Sequence, residues 1–256
     1  MELERRQEEK RRIRLVVAYD GTNYHGWQVQ KNGITIESEL NRALLELTGE
    51  EIQVIGASRT DAGVHALGNV VAWDTESPIP AENWRPALNS FLPQDIRVMR
   101  SWETAAEFHP RFDAHTKRYE YRIATDEVVS PLRCRYVCGV REPLDLTAMQ
   151  EGAKAFVGTH DYSAFCSAGA QTESKVRTVT LCEVYREGTE IVIGVEGDGF
   201  LYNMIRILAG TLIDMGRGAK APESMAEIIA SCDRTQAGPT APPQGLTLVT
   251  IRYGEE

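Results

Sequence analysis

The chain presents one order of strand and helix signals twice, and this repetition restricts the folds open to it. In the first half, β-branched runs and apolar stripes at helical spacing predict strand, helix, strand, strand, helix and strand. The second half returns to this order, although the halves share no repeat at the residue level. Such an order is typical of a ferredoxin-like unit. We therefore predict an α+β fold in which two ferredoxin-like (RNP-like) halves share one mainly antiparallel sheet around a central cleft.

Three segments divide the 256 residues. Residues 1–12 are a mixed charge run, which predicts a solvated tail or a frayed helix. Residues 13–105 form the N-terminal half, whose first strand is predicted over residues 14–19, and residues 106–256 form the C-terminal half. No stretch rich in proline, serine or glycine separates the two halves, so we expect them to pack tightly.

Helical periodicity is strongest in two places. Residues 36–47 carry an apolar stripe that begins after Thr35, a typical N-cap residue. Further along the chain, apolar residues recur at helical spacing from Leu201 to Ile213 and put Arg206 on the opposite face of that helix. Gly210 shares the face of Arg206 and permits another backbone or a ligand to approach closely.

Alternating side chains over residues 116–123, TKRYEYRI, predict a strand. The alternation puts Lys117, Tyr119 and Tyr121 on one face and Arg118 on the other. Both tyrosines fit a hydrophobic core as well as they fit a binding site, so the strand alone does not decide between these roles.

A loop between two predicted strands, residues 52–56 and 69–74, holds the combination of side chains best suited to chemistry. Arg59 and Asp61 lie two residues apart, beside Gly63. The connection is longer than the roughly 2–5 residues of a hairpin turn. Aspartate and glycine are also ordinary turn residues, so a plain surface loop fits the same sequence.

Composition excludes several classes of protein. The five cysteines include no CxxC pair, and the five histidines show no metal-ligand spacing. No dinucleotide or P-loop fingerprint occurs. We therefore predict no metal and no cofactor. The N-terminus lacks the apolar core of a signal peptide, and no run of about 18 apolar residues exists, so we expect a cytoplasmic location and no membrane segment.

The loop resembles the signature loop of the TruA family of tRNA pseudouridine synthases in the run RTDAGVHA, residues 59–66. The segments YDGTNYHGWQ, KRYEYRI, FLYNMIRILAGTL and AGPTAPPQGLTL also resemble family motifs, in the family's order. The resemblance extends from about Leu15 to Tyr253. Two departures concern the loop, because many members carry glycine in place of Ser58 and glutamine in place of Asn69.

This resemblance implies an isomerase that converts uridine to pseudouridine at positions 38, 39 and 40 of the tRNA anticodon stem-loop. It assigns Asp61 as the catalytic nucleophile, with Arg59 and Arg206 as its partners. It assigns Tyr119 as the residue that stacks on the target uracil and leaves open whether Tyr119 also helps to remove the proton from C5 of that base. We expect a nearby guanidinium to favour the ionised form of Asp61. Asp61 either attacks covalently or takes a ribose proton, and the sequence leaves both routes open.

The partners implied are tRNA and a second copy of the chain, in a homodimer. A net charge of −9 argues mildly against an RNA partner, because phosphate binding relies on Lys and Arg. We therefore expect basic residues to be concentrated at the site. The candidates for RNA binding are Arg59, Arg111, Lys117, Arg118 and Arg206, followed by Arg122 and Arg217.

Two other functions compete with this one. A non-catalytic RNA-binding module would use the same cleft but would have no need to retain Arg59, Asp61, Tyr119 and Arg206 together. An aspartate-dependent hydrolase such as a glycosidase usually pairs two carboxylates, whereas this loop offers Asp61 with an arginine.

Overall fold

The N-terminal half contains four strands and two α-helices, as seen in a computed structural model that describes residues 10–169 and 172–254. Their bounds, in chain order, are β1 (Arg11–Tyr19), α1 (Ile36–Thr48), β2 (Ile55–Gly56), β3 (His65–Thr75), α2 (Trp84–Phe91) and β4 (Ile96–Thr104).

The described part of the C-terminal half contains six strands and three α-helices. Their bounds are β5 (Ala114–Ala124), β6 (Cys138–Gly139), α3 (Leu146–Lys154), β7 (Gly158–Asp161), β8 (Val176–Glu187), β9 (Glu190–Gly197), α4 (Met204–Gly216), α5 (Ser224–Ser231) and β10 (Leu246–Tyr253).

One sheet joins all of these strands in the order β4-β1-β3-β10-β5-β9-β8-β7, with β2 paired to β3 and β6 paired to β5. The pairs are antiparallel except β3 with β10 and β5 with β6. The last strand therefore lies at the centre, where it joins β3 of the first half to β5 of the second. This confirms the prediction of an α+β fold with one large, mainly antiparallel sheet. None of the helices in the described ranges is long and apolar enough to cross a membrane.

The first strand begins earlier than the sequence suggests. We predicted a strand from Arg14, after a charged tail over residues 1–12, but β1 begins at Arg11. Arg11 and Arg12 extend the strand because each forms an ion pair with a neighbouring strand, to Glu103 and Asp74 respectively. The tail prediction for residues 1–9 lies outside the described residues.

Local signals placed α1 and β5 correctly. The Thr35 side chain accepts a hydrogen bond from the Ser38 N–H at 3.2 Å, which caps α1 as predicted. Lys117, Tyr119 and Tyr121 are buried on one face of β5, and the alternating residues between them are only half-buried.

Tertiary contacts shift the bounds of two other elements. The strand predicted over residues 52–56 is reduced to β2, because the Val54 N–H turns away to the Asn41 side chain at 3.1 Å. The helix predicted to include Leu201 begins instead at Met204, because Asn203 adopts the left-handed conformation with φ 61°.

The face of α4 that carries Gly210 is covered by another backbone, as predicted. A Cβ at Gly210 would lie 1.9 Å from the carbonyl oxygen of Pro239, so glycine is required for this packing. The Thr211 hydroxyl accepts the Gly238 N–H at 2.8 Å beside it. These contacts hold the connector before β10 against α4.

Candidate active site

The loop between β2 and β3 is held in place by the residues that flank it. The Ala57 N–H donates to the Val70 carbonyl at 2.8 Å, and the Thr60 carbonyl accepts the Trp27 N–H at 2.9 Å. The Thr60 hydroxyl also bonds the Tyr19 hydroxyl at 2.8 Å, at the end of β1. The start and the middle of the loop are therefore anchored to the N-terminal half of the chain.

The YDGTNYHGWQ segment supports this loop from behind. Its sequence is compatible with aromatics that pack or with aromatics that bind bases. The structure buries Tyr24 and Trp27 at 8% and 2% exposure. Gly26 has φ +85°, and a Cβ there would lie 2.7 Å from the Thr60 carbonyl oxygen. Both aromatics are therefore packed, and Trp27 also reaches the cleft, which the exposed His25 and Gln28 line as well.

An ion pair joins the loop to the other half of the chain. The Arg206 Nη1 donates to the Asp61 Oδ2 at 3.3 Å, although the two residues lie 145 positions apart. The same guanidinium donates from Nε to the Ala241 carbonyl at 2.8 Å and from Nη1 to the Asn203 Oδ1 at 2.7 Å. The bonds to Asn203, next to the start of α4, and to Ala241, in the connector before β10, therefore hold Arg206 in position beside Asp61.

Burial has a larger effect on Asp61 than its cation does. Burial raises the pKa of the Asp61 carboxyl above its ordinary value of 3.8, and the Arg206 guanidinium only partly offsets this rise. The expectation that a guanidinium favours the ionised form holds for Arg206, but the net direction of the shift is upward. Arg59 is exposed at the edge of the cleft and, among the described residues, is not the cation that pairs with Asp61.

Tyr119 lines the same cleft as Asp61. Its hydroxyl bonds the Ser58 hydroxyl at 2.7 Å, and its ring meets the Phe200 ring edge-on with centroids 5.4 Å apart. Burial, with a smaller contribution from the Asp61 charge, raises the pKa of Tyr119 to about 12. The phenol is therefore protonated at neutral pH, and it is held by partners on two sides.

The two departures from the family pattern contact each other. The Asn69 side chain accepts the Ser58 N–H at 3.2 Å and donates to the Ser58 carbonyl at 2.9 Å. Ser58 in turn contacts Tyr119, so the three residues form one network behind the cleft. The sequence did not reveal this role for Ser58 and Asn69, nor the role of Asn203 in orienting Arg206. The signals were the polar side chains of Ser58 and Asn69 near the loop motif and of Asn203 within the motif FLYNMIRILAGTL.

The cleft has a volume of about 730 Å³ and is lined by both halves of the chain. Three of the predicted RNA-binding residues, Arg59, Arg111 and Lys117, reach it together with Asp61. The Lys117 Nζ donates to the Ala57 carbonyl at 2.8 Å, at the start of the loop. Burial, and then the charge of Arg111, lower the pKa of Lys117 to about 8.

The remaining basic candidates lie elsewhere. Arg118 occupies the other face of β5, where it forms ion pairs with Glu120, Glu183 and Glu196. Arg122 and Arg217 are likewise paired with glutamates. The structure does not bring these three arginines to the cleft, because alternation along β5 and the course of α4 direct them to other surfaces.

A second cavity, of about 630 Å³, is lined by Glu120, Arg122 and His65 and includes neither Asp61 nor Arg206. His65 ends the loop motif and is buried, with its Nδ1 accepting the Gly21 N–H at 3.0 Å. Its Nε2 lies 2.8 Å from the Arg135 carbonyl oxygen. These bonds give His65 a structural role, because they tie the end of the loop to two other segments.

Known proteins resemble this chain over nearly its whole length. Residues 15–113 and 153–254 match the family described as tRNA pseudouridine synthase. A protein of Syntrophomonas wolfei named tRNA pseudouridine synthase A is 47% identical over 96% of this chain and 98% of its own length. One of the same name from Brevibacillus brevis is 48% identical over 95% of this chain and 100% of its own. A Clostridium tetani protein named tRNA pseudouridine synthase A 2 is 46% identical over 95% of this chain and 99% of its own length.

Proposed function

Because this chain belongs to the tRNA pseudouridine synthase family, we propose that it isomerises uridine to pseudouridine at positions 38, 39 and 40 of the anticodon stem-loop. The observation that carries this proposal is the Asp61–Arg206 ion pair, in a cleft lined by both halves of the chain. The test is incubation with unmodified tRNA, followed by chemical marking of pseudouridine and primer extension. Marked stops are expected at these three positions, and their absence would contradict the proposal.

The reaction needs few groups, because no atom is gained or lost. The bond from the sugar to the uracil nitrogen breaks, the base rotates, and a new bond forms from the sugar to C5 of the uracil. The C5 proton leaves, and the nitrogen released from the sugar gains a proton. We propose Asp61 as the nucleophile, with the covalent route and the abstraction of a ribose proton both compatible with its position.

The carboxylate must be ionised for either route. Asp61 is partly buried, with 22% of its side chain exposed, and burial raises its pKa. We propose that Arg206 limits this rise, so that Asp61 stays ionised near neutral pH inside the cleft. Arg206 acts through Asp61 in this scheme and is a positioning residue.

The target uridine must leave the stem to reach Asp61, which implies base flipping. Tyr119 lines the cleft beside the loop, and its ring is supported by Phe200. We propose that Tyr119 stacks on the extruded uracil. Its pKa of about 12 supports stacking over proton transfer, because a phenol that stays protonated is a poor base at neutral pH.

Replacement of Tyr119 separates these two roles. Tyr119→Phe keeps the ring and is expected to lower kcat/KM by less than about tenfold, whereas Tyr119→Ala is expected to lower it by about 10- to 100-fold through lost stacking. Steady-state kinetics on an anticodon stem-loop measure both effects. Ser58→Ala is the control, since it removes the partner of the hydroxyl and keeps the tyrosine. Equal losses of about 100-fold or more for Phe and Ala would assign proton transfer to the hydroxyl instead.

We also propose that each half of the chain is a ferredoxin-like unit, divided near residue 105. The order β4-β1-β3-β2 in the first half and β10-β5-β9-β8 in the second supports this division. In each half the strands lie side by side in the order fourth, first, third and second, when β1, β2, β3 and β4 or β5, β8, β9 and β10 are counted along the chain. We infer a cytoplasmic location as well, supported by five cysteines that are all free, as is usual in reducing compartments.

A homodimer is proposed from the family resemblance. One cleft holds the stem-loop while the rest of an L-shaped tRNA extends beyond it, and a second subunit supplies further surface. Analytical ultracentrifugation at micromolar concentration is expected to give twice the mass of one chain. Sedimentation as a single chain at that concentration would contradict this proposal.

A further inference from the structure

Four cations converge on one wall of the cleft. Arg59 comes from the catalytic loop, Arg111 from the segment before β5, Lys117 from β5 itself, and Arg177 from the start of β8. Lys117 lies on the same face of β5 as Tyr119, two residues and roughly 7 Å away along the strand. The basic wall is therefore adjacent to the Tyr119 ring, which we propose stacks on the target uracil.

These four cations lie on one cleft and have no carboxylate partner among the described residues, in contrast to ten other basic residues. Among the described residues, none of the four forms an ion pair within 4.0 Å. Other arginines and lysines of the structure do so, namely Arg11, Arg12, Arg42, Arg118, Arg122, Arg133, Lys154, Arg206, Arg217 and Arg252. In a chain with a net charge of −9, four uncompensated cations in one cleft are suited to an anionic ligand.

Mutual repulsion is visible on this wall. Burial lowers the pKa of Arg111, and the charges of Arg59 and Arg177 lower it further. The charges of Arg111 and Arg177 likewise lower the pKa of Lys117, and the charge of Asp198 only partly offsets this lowering. An anion placed between these side chains relieves that repulsion.

Arg177 is held in position without losing its charge. Its Nη1 donates to the carbonyls of Ser174 and Val176, at 3.0 and 2.6 Å, and its Nη2 to the Thr172 hydroxyl at 3.4 Å. Neutral acceptors orient the guanidinium while leaving its positive charge uncompensated. Such preorganisation lowers the entropy lost when the side chain binds a ligand.

We propose that Arg177 completes a phosphate-binding wall with Arg59, Arg111 and Lys117, which holds the phosphodiester backbone next to the extruded nucleotide. This inference rests on the proposed function, since the ligand is the backbone of the tRNA substrate. It adds Arg177, a residue outside all the recognised motifs, to the substrate site. In this proposal the wall takes no part in bond breaking or bond formation. It holds the RNA backbone while the uracil rotates.

Binding measurements on the full-length protein test the wall. Arg177→Gln is expected to weaken binding of an anticodon stem-loop RNA about tenfold at low salt, as for loss of a hydrogen bond to a charged group. The slope of log K against log salt is expected to fall by about 0.7–0.9, the value for one phosphate contact. KM rises accordingly and kcat stays within about twofold. Arg186→Gln, an exposed arginine on the same strand, is the matched control and is expected to change neither quantity.

Single methylphosphonate linkages identify the phosphate concerned. In the wild-type protein, removal of the charge at one linkage near the target is expected to weaken binding about tenfold. In Arg177→Gln the same replacement is expected to cost nothing further, because the contact is already absent. Equal costs in both proteins at every linkage would overturn the proposal, as would a salt slope unchanged by Arg177→Gln.

The outcomes separate this proposal from the proposed function. If the wild-type protein shows the linkage effect and forms no pseudouridine, the wall stands and the isomerase assignment fails. If pseudouridine forms normally and Arg177→Gln behaves like Arg186→Gln, the wall fails. If Arg177→Gln loses its loop contacts and unfolds at a lower urea concentration, Arg111→Gln replaces it in the test, because Arg111 is exposed. The methylphosphonate comparison is then made at the linkage that Arg111 contacts.

Discussion

Asp61→Asn is expected to abolish pseudouridine formation and to leave tRNA binding largely intact. The substitution keeps the shape of the side chain but removes the negative charge that either route requires. We expect single-turnover rates to fall by at least about 10⁴-fold, as for loss of a catalytic nucleophile. The Kd for tRNA is expected to stay within about threefold, because Asp61 repels phosphate and does not hold it.

Asp198→Asn is the matched control for this prediction. Asp198 is an exposed carboxylate near the basic wall, and its Oδ1 accepts the Thr178 N–H at 3.0 Å, a bond that asparagine can keep. Turnover of this variant is expected to stay near that of the wild-type protein. Near-normal turnover of Asp61→Asn on unmodified tRNA would show that the mechanism proposed here is wrong.

Arg206→Ala is expected to lower kcat by about 10²–10³-fold, comparable to loss of one preorganised donor at a reacting charge. It is also expected to shift the acidic limb of the pH–rate profile. Burial already places the pKa of Asp61 above 3.8, and Arg206 is the group that holds it down. Without Arg206 the carboxyl titrates at still higher pH, so the protonated, inactive form persists further towards neutrality.

The pH profile separates this role from a merely structural one. A variant that only loosened the fold would lower kcat at all pH values and leave the acidic limb in place. Arg206→Lys keeps a charge but cannot reproduce both the Ala241 and the Asn203 bonds, so an intermediate shift is expected. An acidic limb that does not move in Arg206→Ala would contradict the role assigned to Arg206.

Features that depend on local periodicity could be predicted from the sequence. The alternation over residues 117–121 determined which face of β5 is buried, because side chains on a strand point to opposite faces in turn. Thr35 marked the start of α1, because a capping bond is made within one helical turn. The loop with Asp61 was recognised for a similar reason, since its motif is a contiguous run of residues.

Contacts between distant segments could be decided only by the tertiary structure. Local patterns do not determine that Arg206 reaches Asp61 across 145 positions, because β10 must first join the two halves at the centre of the sheet. Nor do they determine the net direction of the Asp61 pKa, which depends on how far the packed chain excludes water. Lys117 and Arg118 are neighbours with equal formal charge. Lys117 faces the cleft with no carboxylate partner in the described part of the chain, whereas Arg118 is paired with three glutamates. Local patterns were therefore enough to predict an α+β fold with one mainly antiparallel sheet and to propose Asp61 as the reacting group. Packing decided which charges have no carboxylate partner among the described residues, because compensation of a charge depends on distances between segments that the chain order does not specify.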